Sequence, residues 1–246
     1  MIIKGELDVK EIEYEGDKTE AEKMVEAGVH FGHKTNKKHP KMAPYIHGVR
    51  NGVNIIDISK TEEKLEEALK YIEELILKGG ILMIVGTKVQ LVNLAKSFAE
   101  ECNLPYTTER WLGGTFTNFE NIKKRVDHLK DLEKKKEEGE LEKYTKKEQL
   151  DISREIITLK RKFEGLKPLT KLPDAILILD MDKDDLVVKE ARMKKVTIIA
   201  IADTNVNPEL ADYPIPANDN AISSVAYILG RMKERILKAN LKKQSI

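Results

Sequence analysis

The residues best suited to bind an anion lie between His30 and Arg50. This basic stretch contains no Asp or Glu, although the whole chain has 43 Lys and Arg against 42 Asp and Glu. The stretch therefore concentrates positive potential that the net charge of +1 conceals. Lysine and arginine displace condensed counterions from a nucleic-acid backbone without reading any particular base. The candidate phosphate-binding residues are Lys34, Lys37, Lys38, Lys41 and Arg50.

Aromatic residues and prolines are interspersed among these cations. Phe31 and Tyr45 could stack on an unpaired base, or they could belong to the core beneath a solvated lysine-rich loop. Pro40 and Pro44 would stiffen that loop, which lowers the ordering cost of binding. These residues alone leave both interpretations open.

Histidines in the basic stretch raise the question of a metal. His30, His33 and His39 are of the type that binds zinc, but no fourth ligand is evident in the sequence. Local hydrogen bonding or phosphate contact is therefore the favoured role. Neither a metal nor a cofactor is predicted.

Three aspartates give a rival hypothesis, a magnesium or phosphosugar enzyme. Asp180, Asp182 and Asp203 follow apolar runs, and open α/β sheets bind ligands at the carboxyl ends of their strands. The alternative is ordinary capping, with Asp182 or Asp184 starting a helix and Asp203 beginning a turn.

Two further motifs carry weaker signals. Gly86-Thr87-Lys88 resembles a phosphate-cradling turn but lacks the glycine spacing of a P-loop or dinucleotide fingerprint. The segment from Arg110 to Thr115 holds the only Trp beside paired glycines, and either lets a partner approach the backbone closely or anchors the core. Spacing alone identifies neither a Ser/His/Asp set nor a pair of catalytic carboxylates.

Hydrophobic periodicity predicts the elements that would position these residues. Capping boxes at Thr19/Glu22 and Ser59/Glu62 predict helix starts. Apolar runs predict strands in an alternating α/β order, beginning with one βαβα progression at Val53. The predicted strands are 53–56, 81–85, 175–179 and 196–202, and the predicted helices include 89–102, 184–193 and 219–241.

The order is interrupted by a charged helical segment at 118–163. Its apolar residues recur in alternating steps of three and four, which predicts two helices that join near Gly139 and form an antiparallel coiled-coil hairpin projecting from the body. The apolar positions are Phe119, Ile122, Val126, Leu129, Ile152, Ile156, Leu159 and Phe163.

Composition indicates a globular protein with a solvated helical part, since apolar residues make up 41% of the chain and charged residues 35%. The lone Cys102 fits a reducing compartment. The first residues lack a signal pattern, and the longest uncharged run, 220–230, is too short to span a bilayer. A soluble cytoplasmic protein is expected, with an acidic leader at 1–18.

Four strings in this chain resemble the ribosomal protein S2 family of the small subunit. They occur in the family's order between about Thr19 and Lys238, and the inserted hairpin resembles the bacterial type. The strings are GVHFGHKTNKKHPKMAPYIHGVRNGVNIIDISKT (28–61), RWLGGTFTNF (110–119), LPDAILILD (172–180) and EARMKKVTIIAIADTNVNPELADYPIPANDNAI (190–222).

The resemblance implies a non-enzymatic, flavodoxin-like α/β body at 19–117 and 164–246, with a coiled-coil hairpin at 118–163. It implies a place in the cytoplasmic small ribosomal subunit, with small-subunit rRNA and neighbouring ribosomal proteins as partners. In many bacteria, members also help to recruit the messenger-binding ribosomal protein S1. The cations of the basic stretch become the candidate rRNA contacts, with Arg110, Lys242 and Lys243 as further candidates.

Overall fold

The computed structural model describes residues 19–244, so the predicted leader at 1–18 lies outside the described residues, as do 245–246. Strands and helices alternate over most of this length. The strands are β1 Phe31–Lys34, β2 Ile46–Arg50, β3 Val53–Ile56, β4 Leu82–Val85, β5 Tyr106–Thr107, β6 Ala175–Ile178, β7 Thr197–Ala202 and β8 Tyr213–Pro216. The α-helices are α1 Glu20–Glu26, α2 Ile58–Leu77, α3 Val92–Glu101, α4 Phe119–Glu137, α5 Lys146–Phe163, α6 Asp185–Lys194 and α7 Ile222–Gln244.

The main sheet contains five parallel strands in the order β5-β4-β6-β7-β8. Counted within this sheet, the order is 2-1-3-4-5, which is the flavodoxin-like arrangement. Its central strands are uninterrupted apolar runs because helices cover both faces. The predicted flavodoxin-like α/β fold is confirmed.

A second, three-stranded antiparallel sheet has the order β1-β3-β2 and contains most of the basic stretch. The predicted βαβα order from Val53 is present along the chain as β3, α2, β4 and α3, but β3 pairs with β1 and β2 instead of joining the main sheet. The reason is the two-residue connection Asn51-Gly52, whose φ angles of 51° and 76° permit a tight hairpin turn between Arg50 and Val53. An Asn-Gly pair between apolar runs was the sequence signal for this hairpin.

Three helices begin at residues other than those predicted. Thr19 and Glu22 form the predicted capping box, but α2 is capped by Asp57, which accepts a hydrogen bond from Ser59 N. Two other helices begin three residues later than predicted, α3 at Val92 and α7 at Ile222. Ile222, the first residue of α7, is exposed, whereas Ile228 further along the same helix is buried.

Two apolar layers enclose the main sheet. Alternate residues of each strand point to opposite faces, so Leu82 and Ile84 pack with α1, α2, α3 and α7, whereas Met83 and Val85 pack on the side of α4, α5 and α6. None of the described helices has both the length and the apolar character needed to cross a bilayer.

The helix pair α4 and α5 occupies the predicted hairpin segment. All eight predicted apolar positions lie in or against the second apolar layer, which also contains strand residues of the main sheet. Polar contacts join the two helices, including His128 to Glu155 at 3.2 Å and Lys160 to Glu133 at 2.9 Å. The coiled-coil geometry and the domain boundaries at 118–163 remain predictions.

Candidate nucleic-acid interface

The basic stretch is built from short regular elements and is not the predicted loop. Between β1 and β2 lie two 3₁₀ helices, Thr35–Lys37 and Pro40–Tyr45. Pro40 begins the second one, where a missing backbone N–H costs no helical hydrogen bond, and the His39 side chain accepts a hydrogen bond from Lys41 N at 3.2 Å. The cations are therefore carried on segments of defined backbone geometry.

The five predicted cations of the basic stretch are all exposed in the structure. Lys41 pairs with Glu209 at 2.8 Å. The other four, Lys34, Lys37, Lys38 and Arg50, form no ion pair with an acidic side chain of residues 19–244. Their positive charge is therefore not neutralised by an acidic side chain of the described residues.

The two aromatic residues of the stretch, Phe31 and Tyr45, differ in solvent exposure. Phe31 is 48% exposed, with its ring centroid 4.0 Å from that of His30, so it does not belong to the core. Tyr45 is half-buried. Phe31 is thus the better placed of the two to stack on an unpaired base.

The predicted histidines have separate environments. Desolvation lowers the pKa of His30, whereas contact with the Asp203 carboxylate raises the pKa of His33. His39 caps a 3₁₀ helix. In the part of the chain that the structure describes, no cluster of three His, Cys, Asp or Glu side chains is arranged to hold a metal ion.

The basic stretch contacts the turn that follows β7 through His33 and His39. His33 Nδ1 lies 3.0 Å from Asp203 Oδ2, and His33 N donates a hydrogen bond to Thr204 Oγ1 at 2.8 Å. His39 N donates to the Thr204 carbonyl at 2.8 Å. Asp203 and Thr204 have no exposed surface. The sequence indicates this turn but not its contact with His33 and His39, because the partners are far apart in the chain.

The carboxyl ends of the main strands are occupied by the chain's own ion pairs. Lys88 Nζ lies 2.9 Å from Asp180 Oδ2 and 3.0 Å from Asp219 Oδ1. Burial and the neighbouring Asp180 and Asp203 carboxylates raise the pKa of Asp219 to about 7 despite its bridge to Lys88. Asp182 is exposed and accepts a hydrogen bond from Asn205 at 3.3 Å. The aspartates of the rival enzyme hypothesis thus serve the fold.

The Gly86-Thr87-Lys88 turn does not cradle an anion either. The Thr87 hydroxyl donates to Asp184 Oδ1 at 2.8 Å, and burial raises the pKa of Asp184 to about 6. Lys88 is shared between two carboxylates. Both side chains that would contact a phosphate are engaged internally.

Arg110 lies on the loop after β5 and is exposed. The loop is held by Glu190, a buried carboxylate that accepts hydrogen bonds from Gly114 N at 2.7 Å and Phe116 N at 2.9 Å. Trp111 packs edge-on against Phe116, with ring centroids 5.0 Å apart, as a core anchor. No sequence pattern indicated the role of Glu190, which is separated from the loop by more than seventy positions.

Lys242 and Lys243 lie at the end of α7, away from the basic stretch. The Lys243 ammonium is near Gly79, which precedes β4, at the amino ends of the parallel strands. The basic stretch instead contacts the turn at the carboxyl end of β7. Lys242 also pairs with Glu73 at 2.7 Å. The structure therefore brings five predicted cations together and places Arg110 and the two lysines elsewhere.

Comparison with known proteins identifies the family. The model of the family described as "Ribosomal protein S2" matches residues 24–239. The chain belongs to the ribosomal protein S2 family. It is 44% identical over 216 residues to "Small ribosomal subunit protein uS2" from each of two strains of Thermus thermophilus, covering 88% of this chain and 84% of each relative. These are relatives of bacterial type. The ribosomal protein S2 family is one of structural proteins, not of enzymes.

Proposed function

We infer that this protein is a structural constituent of the small ribosomal subunit that binds small-subunit rRNA through its basic stretch. The observation that carries this proposal is the set of exposed cations without acidic partners, Lys34, Lys37, Lys38 and Arg50, in a ribosomal protein of the small subunit. Lys41, Arg110, Lys242 and Lys243 are proposed as secondary contacts. As a bacterial-type ribosomal protein, the chain is placed in the cytoplasm.

Charge matching supports phosphate as the ligand of these side chains. An exposed cation that forms no internal pair can release condensed counterions from RNA without first breaking an ion pair. The segment carries no acid that would repel the backbone. Phe31 adds an exposed ring at the same surface.

The experiment is reconstitution into small subunits that lack this protein. With five phosphate contacts, the slope of log affinity against log salt concentration would be about −4. Replacing Lys34, Lys37, Lys38 and Arg50 by Ala should make the slope less steep by about 3 and weaken incorporation. A control of equal charge change replaces four lysines that form ion pairs on helices outside the basic stretch, namely Lys60, Lys78, Lys96 and Lys189. Unchanged slope and incorporation in the first variant would remove the proposed interface.

Protein partners are proposed for the helix pair α4 and α5. Leu150 and Ile157 are 51% and 67% exposed, and their spacing of seven puts them on one face of α5. An exposed apolar face favours a neighbouring ribosomal protein over RNA as its contact. Recruitment of ribosomal protein S1 is a finer form of the same proposal.

A double replacement tests this face. Leu150→Ser with Ile157→Ser should leave rRNA binding and its salt slope intact while weakening one protein–protein contact, measured by crosslinking in assembled subunits. Ser replacement of two exposed polar residues, Asp151 and Thr158, is the control on the same helix, because they have the same spacing of seven but lie about 100° around the helix from the apolar pair. Loss of rRNA binding with the apolar pair would contradict a protein-docking role.

A further inference from the structure

Both ends of the lysine turn, Lys34 to Lys38, are attached to a single residue of the α/β body. The residue before the turn, His33, donates its backbone N–H to Thr204 Oγ1 at 2.8 Å. The residue after it, His39, donates its backbone N–H to the Thr204 carbonyl at 2.8 Å. A segment of five residues carrying three of the unpaired cations is thus closed at both ends on Thr204.

The Thr204 hydroxyl is itself oriented by a buried carboxylate. It donates to Asp203 Oδ1 at 3.1 Å, which leaves its lone pairs facing His33 N. The other oxygen of Asp203 lies 3.0 Å from His33 Nδ1. Since a buried carboxylate is costly without partners, Asp203 favours the arrangement in which both His33 and Thr204 contact it.

Gly32 of β1 packs closely against Thr204 and the backbone of Asn54. A Cβ atom at Gly32 would lie 2.5 Å from Thr204 Cγ2 and 3.0 Å from the Asn54 carbonyl oxygen. Only a glycine at this position lets β1 lie this close to Thr204. The Asn54 side chain completes the anchor by donating to the His33 carbonyl at 2.9 Å.

We propose that Thr204, oriented by Asp203, is a positioning residue that pre-organises the lysine turn for binding to RNA phosphates. This inference rests on the proposed function of the basic stretch. Thr204 is completely buried and touches no phosphate; it acts by holding the ends of the turn, so that binding does not have to order them. Removing the hydroxyl should lower affinity while leaving the number of phosphate contacts unchanged.

The first test replaces Thr204 by Val, which keeps the shape and removes the hydroxyl. Affinity for small subunits lacking this protein should fall about fivefold to tenfold, with the salt slope unchanged. Thr204→Ser, which restores the hydroxyl, should rescue binding. The matched control is Thr61→Val, which removes another fully buried hydroxyl, one that donates to the Pro216 carbonyl at 2.6 Å. It should cost stability without the same loss of affinity.

A second pair of variants covers the case in which Thr204→Val fails to fold. His39→Pro removes the N–H that bonds to the Thr204 carbonyl, and the His39 φ of −79° is compatible with proline. His39→Ala keeps the N–H and removes only the side chain. Affinity should be lower for the proline variant than for the alanine variant, at an equal salt slope and with faster amide hydrogen exchange at His33.

The outcomes separate the two proposals. Wild-type affinity in Thr204→Val and in His39→Pro, with exchange at the turn increased, would overturn the positioning role and leave the proposed interface standing. A salt slope that decreases in Thr204→Val would also overturn it, because contacts themselves would have been lost. If the proposed function itself is wrong, the salt slope will instead stay unchanged when Lys34, Lys37, Lys38 and Arg50 are replaced by Ala.

Discussion

The basic stretch and the C-terminal helix α7 both carry dense positive charge in the sequence, but they differ in how far this charge is paired with acidic side chains in the structure. In α7, acidic side chains from other helices reach the cations: Arg231 and Arg235 share Glu66, and Lys242 pairs with Glu73. In the basic stretch, Lys41 alone among the predicted cations has such a partner, within the described residues. Positive charge along a chain becomes positive surface only where neighbouring elements do not neutralise it.

The two regions also differ in what their charges contribute. The pairs of α7 join it to α1, α2 and α3, because Glu20, Glu66, Glu73 and Glu101 come from those helices. They hold the helix on the body beside its apolar contacts. Four of the five cations of the basic stretch form no such pair within the described residues; only Lys41 does, with Glu209. Charge in α7 therefore serves the fold, and charge in the basic stretch serves the proposed binding.

The largest expected effect comes from reversing two adjacent lysines in each region. Lys37→Glu with Lys38→Glu should weaken association with subunits lacking this protein by about a hundredfold, because attraction to phosphate becomes repulsion. The comparison is Lys242→Glu with Lys243→Glu, at two residues proposed only as secondary contacts. It changes the net charge equally and should weaken association much less. Quantitative binding at fixed salt measures both, and equal losses would mean that the two regions do not differ as receptors for RNA.

A smaller effect is expected on stability, and in the other region. Glu66→Ala leaves Arg231 and Arg235 without their shared carboxylate and should lower the free energy of unfolding by about 1 kcal/mol. Urea unfolding measures the change. Lys37→Ala should change this free energy by less than about 0.5 kcal/mol, since its side chain is exposed and has no acidic partner among the described residues. A comparable loss in both variants would contradict the division between fold and binding.

The smallest expected effect is a difference in pH response. Contact with Asp203 raises the pKa of His33, so this pair contributes stability below the ordinary histidine value and loses it as pH rises through the folded-state pKa. Glu20 behaves oppositely: hydrogen bonds from Tyr227 and Lys23, with the nearby Arg231 charge, lower its pKa to about 2. Its contribution is present above about pH 4.5 and is lost as pH falls towards 2.

Amide exchange, corrected for intrinsic rates, measures both responses locally. Protection at His33 should decrease as pH rises through the raised folded-state pKa of His33, whereas protection in α1 should decrease on acidification. Asp203→Asn should remove the first response and leave the second. Asp219 and Lys37 also act on His33, with Asp219 favouring and Lys37 disfavouring its charged form. A loss of protection at His33 with rising pH that persists in Asp203→Asn would assign this response to a different group.

Periodicity and charge in the sequence predicted much of the main body correctly. Three apolar runs became strands of the main sheet, because continuous apolar segments of this length are stable when helices cover both faces. The fourth run, at 53–56, became β3 of the small sheet. The small sheet was missed, because β1 and β2 have mixed patterns and pair only through β3. The Asn51-Gly52 turn was the local signal that could have revealed half of it.

The charged residues show the same limit of prediction from sequence: local patterns are informative, but partners distant in the chain are not visible. Exposure of the five cations agrees with a stretch that contains no acids, and that property is local to the sequence. The neutralisation of α7 is not local: in the sequence Arg235 has the single neighbouring acid Glu234, but in the structure it pairs with Glu66 and Glu73 of α2. No spacing rule within α7 could have revealed these partners.

The sequence by itself determined where acids are absent, which segments are apolar enough to become buried strands, and to which family the chain is similar. These are properties of composition and short-range spacing, and they hold whatever the rest of the chain does. Only the tertiary structure decided which cations stay unpaired. It also decided that Lys88 pairs with Asp180 and Asp219 at the carboxyl ends of the strands, and that Thr204 accepts hydrogen bonds from both ends of the lysine turn. The physical reason is that hydrogen bonds and ion pairs depend on distances of about 3 Å between atoms, and His33 and Thr204 are separated by 171 positions in the chain.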